Sequence, residues 1–377
     1  MAKLCATARL ALGLVAVAAA ADEQTCADGG DSSPVSQDGS SGAPSSLGQK
    51  GGSNARVPMK TDSDSGFHAR LDRSIWAEQL KRSVADGAKH SCESDVVSSA
   101  FNRPIGLGNR IHTFAAHLLL AVYGGHSFSI FNDTSTGKDD MTRIWAMHFE
   151  NSAGFSFCRG DPPPLGNKVK LDWDFLNGHL STVDREYQDD FKRFLYPLVW
   201  TVNSNTWNRV HTEWRKAGLD VSRPYVGVHL RRGDKFTEAS PVEIGAYADA
   251  IRPWLESSNS GGRARQGASL KDVVGEELGA RKIEQVFLCS DDELAAEELQ
   301  TALGNRVRIV TPNARPSDTK TRSYDSEESI LGVITAVEGL RRAHVFVGTA
   351  SSNLGRLVFF LRPKGSRAIS LDRGGQW

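Results

Sequence analysis

The chain lacks an excess of charge of either sign: 45 Lys and Arg stand against 45 Asp and Glu. That balance argues against a general nucleic-acid or membrane-surface binder. Cysteine is scarce, five in 377 residues, and no two stand as C-x-x-C, so the usual zinc spacing is missing. Beyond the N-terminal region no window is apolar enough to fill the roughly 20 residues a membrane span requires. No internal repeat is visible, which sets repeat architectures aside.

What is present begins with a leader. Lys3 precedes an apolar run from Leu10 to Ala21, closed by Asp22-Glu23. Residues 1–21 read as a cleaved signal peptide with an Ala-rich end, or as a signal-anchor whose apolar stretch starts at Leu4 and is interrupted by Arg9. Either reading sends the remainder to the lumen of the secretory pathway. Residues 22–65 are rich in Gly, Ser, Asp and Gln and hold too little apolar surface to fold, which predicts a flexible stem. Past the leader's Cys5 remain Cys26, Cys92, Cys158 and Cys289, in a compartment that permits disulfides. Asn132-Asp133-Thr134 is an N-glycosylation sequon consistent with that route.

Two α/β units follow, at 66–220 and 221–377. In the first, Leu71–Ala85 has helical spacing and Val96–Phe101 reads as a strand. A glycine-bearing turn, Gly106-Leu107-Gly108-Asn109, leads into an apolar helix stopped by Gly124-Gly125. Ser127–Phe131 and Lys168–Leu171 read as further strands. Asp190 to about Lys216 is mostly helical and carries Trp200, Trp207 and Trp214 at seven-residue spacing, a stripe read as core packing rather than a cofactor box. In the second unit, strands are expected at Tyr225–Leu230, Gln285–Cys289, Val307–Val310, His344–Val347 and Arg367–Leu371. Helices are expected at Asp291–Leu303, Glu328–Arg342 and Asn353–Leu361. Ser240-Pro241-Val242-Glu243 fits a capping box that opens a helix running to about Glu256. Residues 257–282 read as a variable surface insertion. The fold class is α/β, two doubly wound Rossmann-like domains facing across a cleft.

Polar residues gather at three strand ends of the second unit: Arg231–Glu238, Ser290-Asp291-Asp292, and Thr349-Ala350-Ser351-Ser352-Asn353. After Leu230 the chain sets two arginines, a lysine and two carboxylates within eight residues. Such charge is costly to bury without a counter-ion, and arginine forks match phosphate oxygens. Parallel sheets place ligands at this edge. Each group also has a plain reading. Asp291-Asp292 and Ser351–Asn353 can be helix caps, and Arg231 and Arg232 a structural ion-pair site. The tripeptide Arg232-Gly233-Asp234 matches a cell-adhesion motif but is flanked by a strand and a helix.

The segment His229-Leu230-Arg231-Arg232-Gly233-Asp234-Lys235, with Glu238-Ala239 after it, resembles motif one of the α1,6-fucosyltransferases. Val286–Asp292 resembles their motif two. Ser329–Ile334 with Ala343–Asn353 resembles motif three, and Gly106–Asn109 their glycine loop. The resemblance runs in order through about 90–375 and extends, more loosely, to chitooligosaccharide and protein O-fucosyltransferases. It implies a GT-B arrangement and inverting transfer of fucose from GDP-fucose to a sugar hydroxyl without a metal cofactor. The implied partners are the donor and a glycan acceptor, with no nucleic acid, and membrane contact only through a possible N-terminal anchor. The implied location is the Golgi lumen. By matching positions Arg231 would bind the β-phosphate, Lys235 would assist departure of the diphosphate, and Glu238 would be the general base. The GDP-fucose site would add Gly106, Gly108, Asn109, His229, Arg232, Asp234, Asp291, Asp292, Ser351, Ser352 and Asn353. Cys92 and Cys158 match positions that the family bridges, which implies a Cys92–Cys158 disulfide.

Three departures stand out. The loop between Lys235 and Glu238 is one residue shorter than in the family. The family's guanine-binding aspartate falls on Ala336, with Glu338 the nearest acidic substitute. The coiled coil and SH3-like domain of the animal enzymes have no recognisable counterpart, so the 6-OH of a GlcNAc in an N-glycan core or chitooligosaccharide is only the leading acceptor. Two rival readings remain: a metal-dependent glycosyltransferase using Asp172 and Asp174, and a GDP-sugar or glycan-binding protein without turnover.

Overall fold

The computed structural model describes residues 73–89, 96–98, 106–132, 141–151, 153–159, 185–232, 241–256, 283–312, 326–372 and 377. They belong to one compact unit, Ser63–Trp377. In order they form α1 (Arg73–Lys89), β1 (Val96–Ser98), α2 (Leu107–Gly124), β2 (Phe128–Asn132), α3 (Met141–His148), β3 (Phe157–Arg159), α4 (Arg185–Val199) and α5 (Ser204–Ala217). Then come β4 (Val226–Leu230), α6 (Ile244–Glu256), β5 (Gln285–Ser290), α7 (Ala295–Leu303), β6 (Arg308–Val310), α8 (Glu327–Arg342), β7 (Val345–Gly348), α9 (Asn353–Leu361) and β8 (Arg367–Ser370).

Two parallel sheets result. One has the order β1-β2-β3, the other β6-β5-β4-β7-β8. Parallel sheets carry helices on both faces, so central strands read as unbroken apolar runs. β4 is such a strand, buried at all five positions. Val226, Val228 and Leu230 pack with Tyr247, Ile251 and Leu299 of α6 and α7. On the opposite face Phe287, Cys289 and Phe346 pack with Ile334, Ala336 and Leu340 of α8. The approach of α8 is so close that a Cβ on Gly339 would meet the Phe287 ring at 2.2 Å.

α8 shows why these residues form a helix. Ser326 accepts from the amide of Ser329 at 3.1 Å, Glu327 and Glu328 sit in the first turn, and Arg341 and Arg342 in the last, matching the helix dipole at both ends. Its C-terminal end is closed by buried Arg362. That guanidinium donates to the carbonyls of Leu340, Arg341, Ala343, His344 and Arg367, at 2.7–3.4 Å. Burial lowers its pKa to about 10, so it stays charged near neutrality.

The tryptophan stripe is packing, as the spacing implies. Trp214 Nε1 donates to the Thr335 carbonyl at 3.3 Å, Trp200 Nε1 to Glu338 Oε1 at 2.9 Å, and Trp207 lies edge-on to Trp214 with Arg342 over its ring. All three pin α4 and α5 to α8. The mostly helical region expected from Asp190 to about Lys216 is two helices. Asn203 breaks it, accepting from the Thr206 amide at 2.9 Å as the cap of α5 while donating to the Met147 carbonyl at 2.6 Å.

Two further expectations are corrected. Gly106–Asn109 is not a free loop: Gly106 caps α2, and Leu107, Gly108 and Asn109 form its first turn. α6 starts at Ile244, so Pro241 does not occupy a first helical position; Glu243 instead accepts the amide of Ala246 at 3.0 Å. Ser240 lies outside the described residues, as do the leader, the stem, Cys5, Cys26, Cys92, 168–174 and 257–282. Cys289 is free and buried, whereas Cys158 is disulfide-bonded to a partner outside the described residues. Among the described residues no helix is long and apolar enough to cross a membrane.

Candidate functional site

β4, β5 and β7 are neighbours, and their C-terminal ends deliver the polar residues to one edge of the sheet. Leu230 lies in register with Ser290, and Val228 with Val347. Arg231 and Arg232, Asp291 and Asp292, and Thr349–Asn353 therefore leave adjacent strands on the same side.

At the first two ends the charges pair. Asp291, whose side chain is 6% exposed, takes Arg231 Nε at 3.2 Å and accepts the Arg232 amide at 2.9 Å, strapping the end of β4 to that of β5. Arg232 reaches Asp292 at 3.0 Å and Glu298 at 2.6 Å. Burial opposes its charge, but hydrogen bonds to these two carboxylates outweigh that and raise its pKa. Asp292 also accepts the Leu294 amide at 3.0 Å, so it closes the turn ahead of α7. That turn is why α7 begins at Ala295 rather than Asp291. The ion-pair reading of Arg232 thus holds, and Glu298 is a partner that sequence reasoning missed. The Arg231 side chain is 29% exposed at the edge. His229 is 5% exposed, in register with Cys289 on the sheet.

At the third end, Ser352 caps α9 and accepts the Gly355 amide at 3.4 Å. The turn before it is held by Asp372, just past β8. Asp372 accepts the amides of Ala350 at 2.6 Å and Ser351 at 2.9 Å, and the Ser370 hydroxyl at 2.9 Å. Burial works against its ionisation, yet the hydrogen bonds from Ser351, Ala350 and Ser370 prevail and lower its pKa.

The glycine turn at the start of α2 lies against this third end. A Cβ on Gly108 would sit 3.1 Å from the Leu354 amide nitrogen and 3.3 Å from the Asn353 carbonyl oxygen, a tight approach of the two backbones. Asn109 accepts from the Thr113 hydroxyl at 3.4 Å within α2. One turn on, His112 Nε2 donates to the Asn353 carbonyl at 2.8 Å, while its Nδ1 accepts from the Tyr196 hydroxyl. The carbonyl only accepts, which fixes the proton on Nε2. Burial first, and Arg356 next, lower the His112 pKa to about 3. The Asn353 side chain pairs with Arg356.

Arg231 and Arg232 are thus joined to Asp291 and Asp292, and Gly108 meets Asn353 at the end of the neighbouring strand β7. Glu338 does not join them. It is fully buried with Trp200 and accepts from Arg341 Nε at 2.8 Å, towards the C-terminal end of α8, so it is no substitute for a guanine-binding carboxylate. Ala336 is buried in the core. Asp172, Asp174, Asp234, Lys235 and Glu238 lie outside the described residues. Among the described residues no group of three or more His, Cys, Asp or Glu is placed to hold a metal ion.

Comparison with protein-family models and with curated proteins finds no match. Solved structures similar to the chain include NodZ α-1,6-fucosyltransferase soaked with GDP-fucose, with TM-score 0.39 and 14% identity over 74% of this chain and 95% of that one. POFUT1 in complex with GDP-fucose gives 0.28 and 14%, over 61% and 58%. An Arabidopsis thaliana FUT1 mutant in complex with GDP gives 0.45 and 13%, over 78% and 80%. Likenesses this distant carry nothing about chemistry, which has to come from the residues themselves.

Proposed function

We propose that the chain is a glycosyltransferase that moves fucose from GDP-fucose to a sugar hydroxyl with inversion. The leading acceptor is the 6-OH of a GlcNAc in an N-glycan core or a chitooligosaccharide. The supporting observation is the meeting of the Arg231, Asp291 and Thr349–Asn353 strand ends at one sheet edge. From β4 the chain steps outward to β5 and β6, then returns to β7 on β4's other side. Such a reversal opens a crevice at the C-terminal strand ends, where parallel sheets bind ligands.

In the proposed step the acceptor oxygen bonds to the anomeric carbon as the bond from that carbon to the diphosphate breaks. The electron pair leaves with GDP and the acceptor's proton passes to Glu238. Arg231 and Lys235 stabilise the charge that grows on the diphosphate. Arg232, already paired with two carboxylates, acts instead by holding the Asp292 turn. The donor's charge is met by these side chains, with no divalent ion assigned. The leader delivers the enzyme to the Golgi lumen.

The test is incubation with GDP-fucose and N-glycan or chitooligosaccharide acceptors, with and without EDTA, reading fucosylated product by mass spectrometry and its anomeric configuration by NMR. GDP binding without transfer to any acceptor would favour the non-catalytic reading. Loss on chelation, restored by Mn²⁺, would bring forward Asp172 and Asp174.

A further inference from the structure

Strand-to-helix turns with several amides facing one point are ready-made seats for anions. The turn between β7 and α9 has that form, and its seat is already taken. Asp372 accepts two successive amides, Ala350 and Ser351, and is itself held by the Ser370 hydroxyl. The carboxylate thus comes from just past the C-terminal end of β8, the strand paired with β7. The next residue, Ser352, begins the helix whose first turn meets Gly108 and His112.

We propose that Asp372 is a positioning residue of the donor site. Its carboxylate fixes the Thr349–Ser352 turn in the shape that presents Ser352 and Asn353. By filling the seat at Ala350 and Ser351, it steers the donor's diphosphate towards Arg231. The proposal rests on the nucleoside-diphosphate reading given above. Asparagine at this position keeps the shape but has one acceptor oxygen, so its NH₂ would face an amide N–H, donor against donor. Alanine would empty the seat and leave it open to a small carboxylate.

The experiment compares wild type, Asp372→Asn, Asp372→Ala and the milder Ser370→Ala. It reads GDP affinity by calorimetry and amide exchange at Ala350 and Ser351 without ligand. We expect GDP binding about tenfold or more weaker in Asp372→Asn and Asp372→Ala, and an intermediate loss in Ser370→Ala. Exchange at the two amides should quicken, and formate should slow it and recover part of the GDP affinity in Asp372→Ala alone. Tighter or unchanged GDP binding in Asp372→Ala overturns the proposal, because the carboxylate would then be a plug or a bystander. If wild type binds no GDP, the donor reading fails separately. In that case formate-reversible exchange at Ala350 and Ser351 still supports the clamp, and exchange unchanged by Asp372→Ala overturns it.

Discussion

His112 Nε2 and the carbonyl of Asn353 lie 2.8 Å apart, joining the helix that opens with the glycine turn to the helix that follows the third polar strand end. Because desolvation holds the partly buried imidazole neutral, the stability of this junction depends on pH. The imidazole's folded pKa is about 3 against 6.5 for the free side chain. The unfolded chain therefore takes up a proton first as pH falls. Stability is fully present above about pH 6.5 and is lost progressively down to about pH 3, by up to about 1.4 kcal/mol per unit. Urea melts at pH 7 and pH 4.5 should show this decline, and His112→Gln should flatten it. Equal pH dependence in both proteins would remove His112 as the cause.

Arg231 and Arg232 should separate by assay. Arg231→Lys keeps the charge and loses the planar fork, so GDP affinity should fall almost as far as in Arg231→Ala. Arg232→Ala removes the ion-pair partner of Asp292 and Glu298, both within reach of water, and should cost about 1 kcal/mol of stability. Near-normal GDP binding by Arg231→Lys would show that Arg231 does not clamp the diphosphate.

Glu338→Gln should destabilise by about 1–3 kcal/mol, since it leaves Arg341 and Arg342 beside an uncharged group in the core. GDP affinity should stay within about twofold of wild type, a span of under 0.5 kcal/mol. A selective loss of GDP binding at unchanged stability would return Glu338 to the nucleotide site.

Cys158 is bridged, and Cys92 is the partner expected for it. Closing a loop of that length stabilises by about 4 kcal/mol on the chain-entropy treatment. Peptide mapping under non-reducing conditions should recover the Cys92–Cys158 pair; Cys158 joined to Cys26 would refute the pairing.

Glu238→Gln keeps the shape and removes the base. Turnover should drop at least about a hundredfold with GDP affinity intact. Asp234, between Arg232 and Lys235 in sequence, is the competing candidate base. Normal turnover in Glu238→Gln together with loss in Asp234→Asn would transfer the role.

The five-stranded sheet was legible because parallel strands flanked by helices carry unbroken apolar runs. Val226–Leu230 and Gln285–Ser290 lie within a residue of their sequence reading, and α9 has the bounds its apolar spacing implies. Helix starts were harder. Asp292 closes a turn with its side chain, and Pro241 does not open α6; local capping patterns compete with tertiary pairings that spacing does not reveal. Asp372 follows a strand directly, the same signal used for the three polar ends, but its partners sit 21 and 22 residues earlier, across a strand pairing. His112 was hidden inside an apolar helix, where a histidine among apolar residues carries no periodic signature. Glu338 shows the opposite failure, since nearness in sequence to Ala336 says nothing about which side of a helix a carboxylate occupies.

Arg362 has a consequence for how the protein comes apart. Its guanidinium gathers carbonyls from the end of α8, the approach to β7 and the start of β8, while its own backbone ends α9. None of these pieces can fray without stranding a cation in an apolar setting. They should therefore open as a single cooperative unit, with slow amide exchange of matching free energy across all four. The edge of the five-stranded sheet opposite the candidate site would then be its slowest part to exchange, leaving motion to the edge where the donor is expected to arrive.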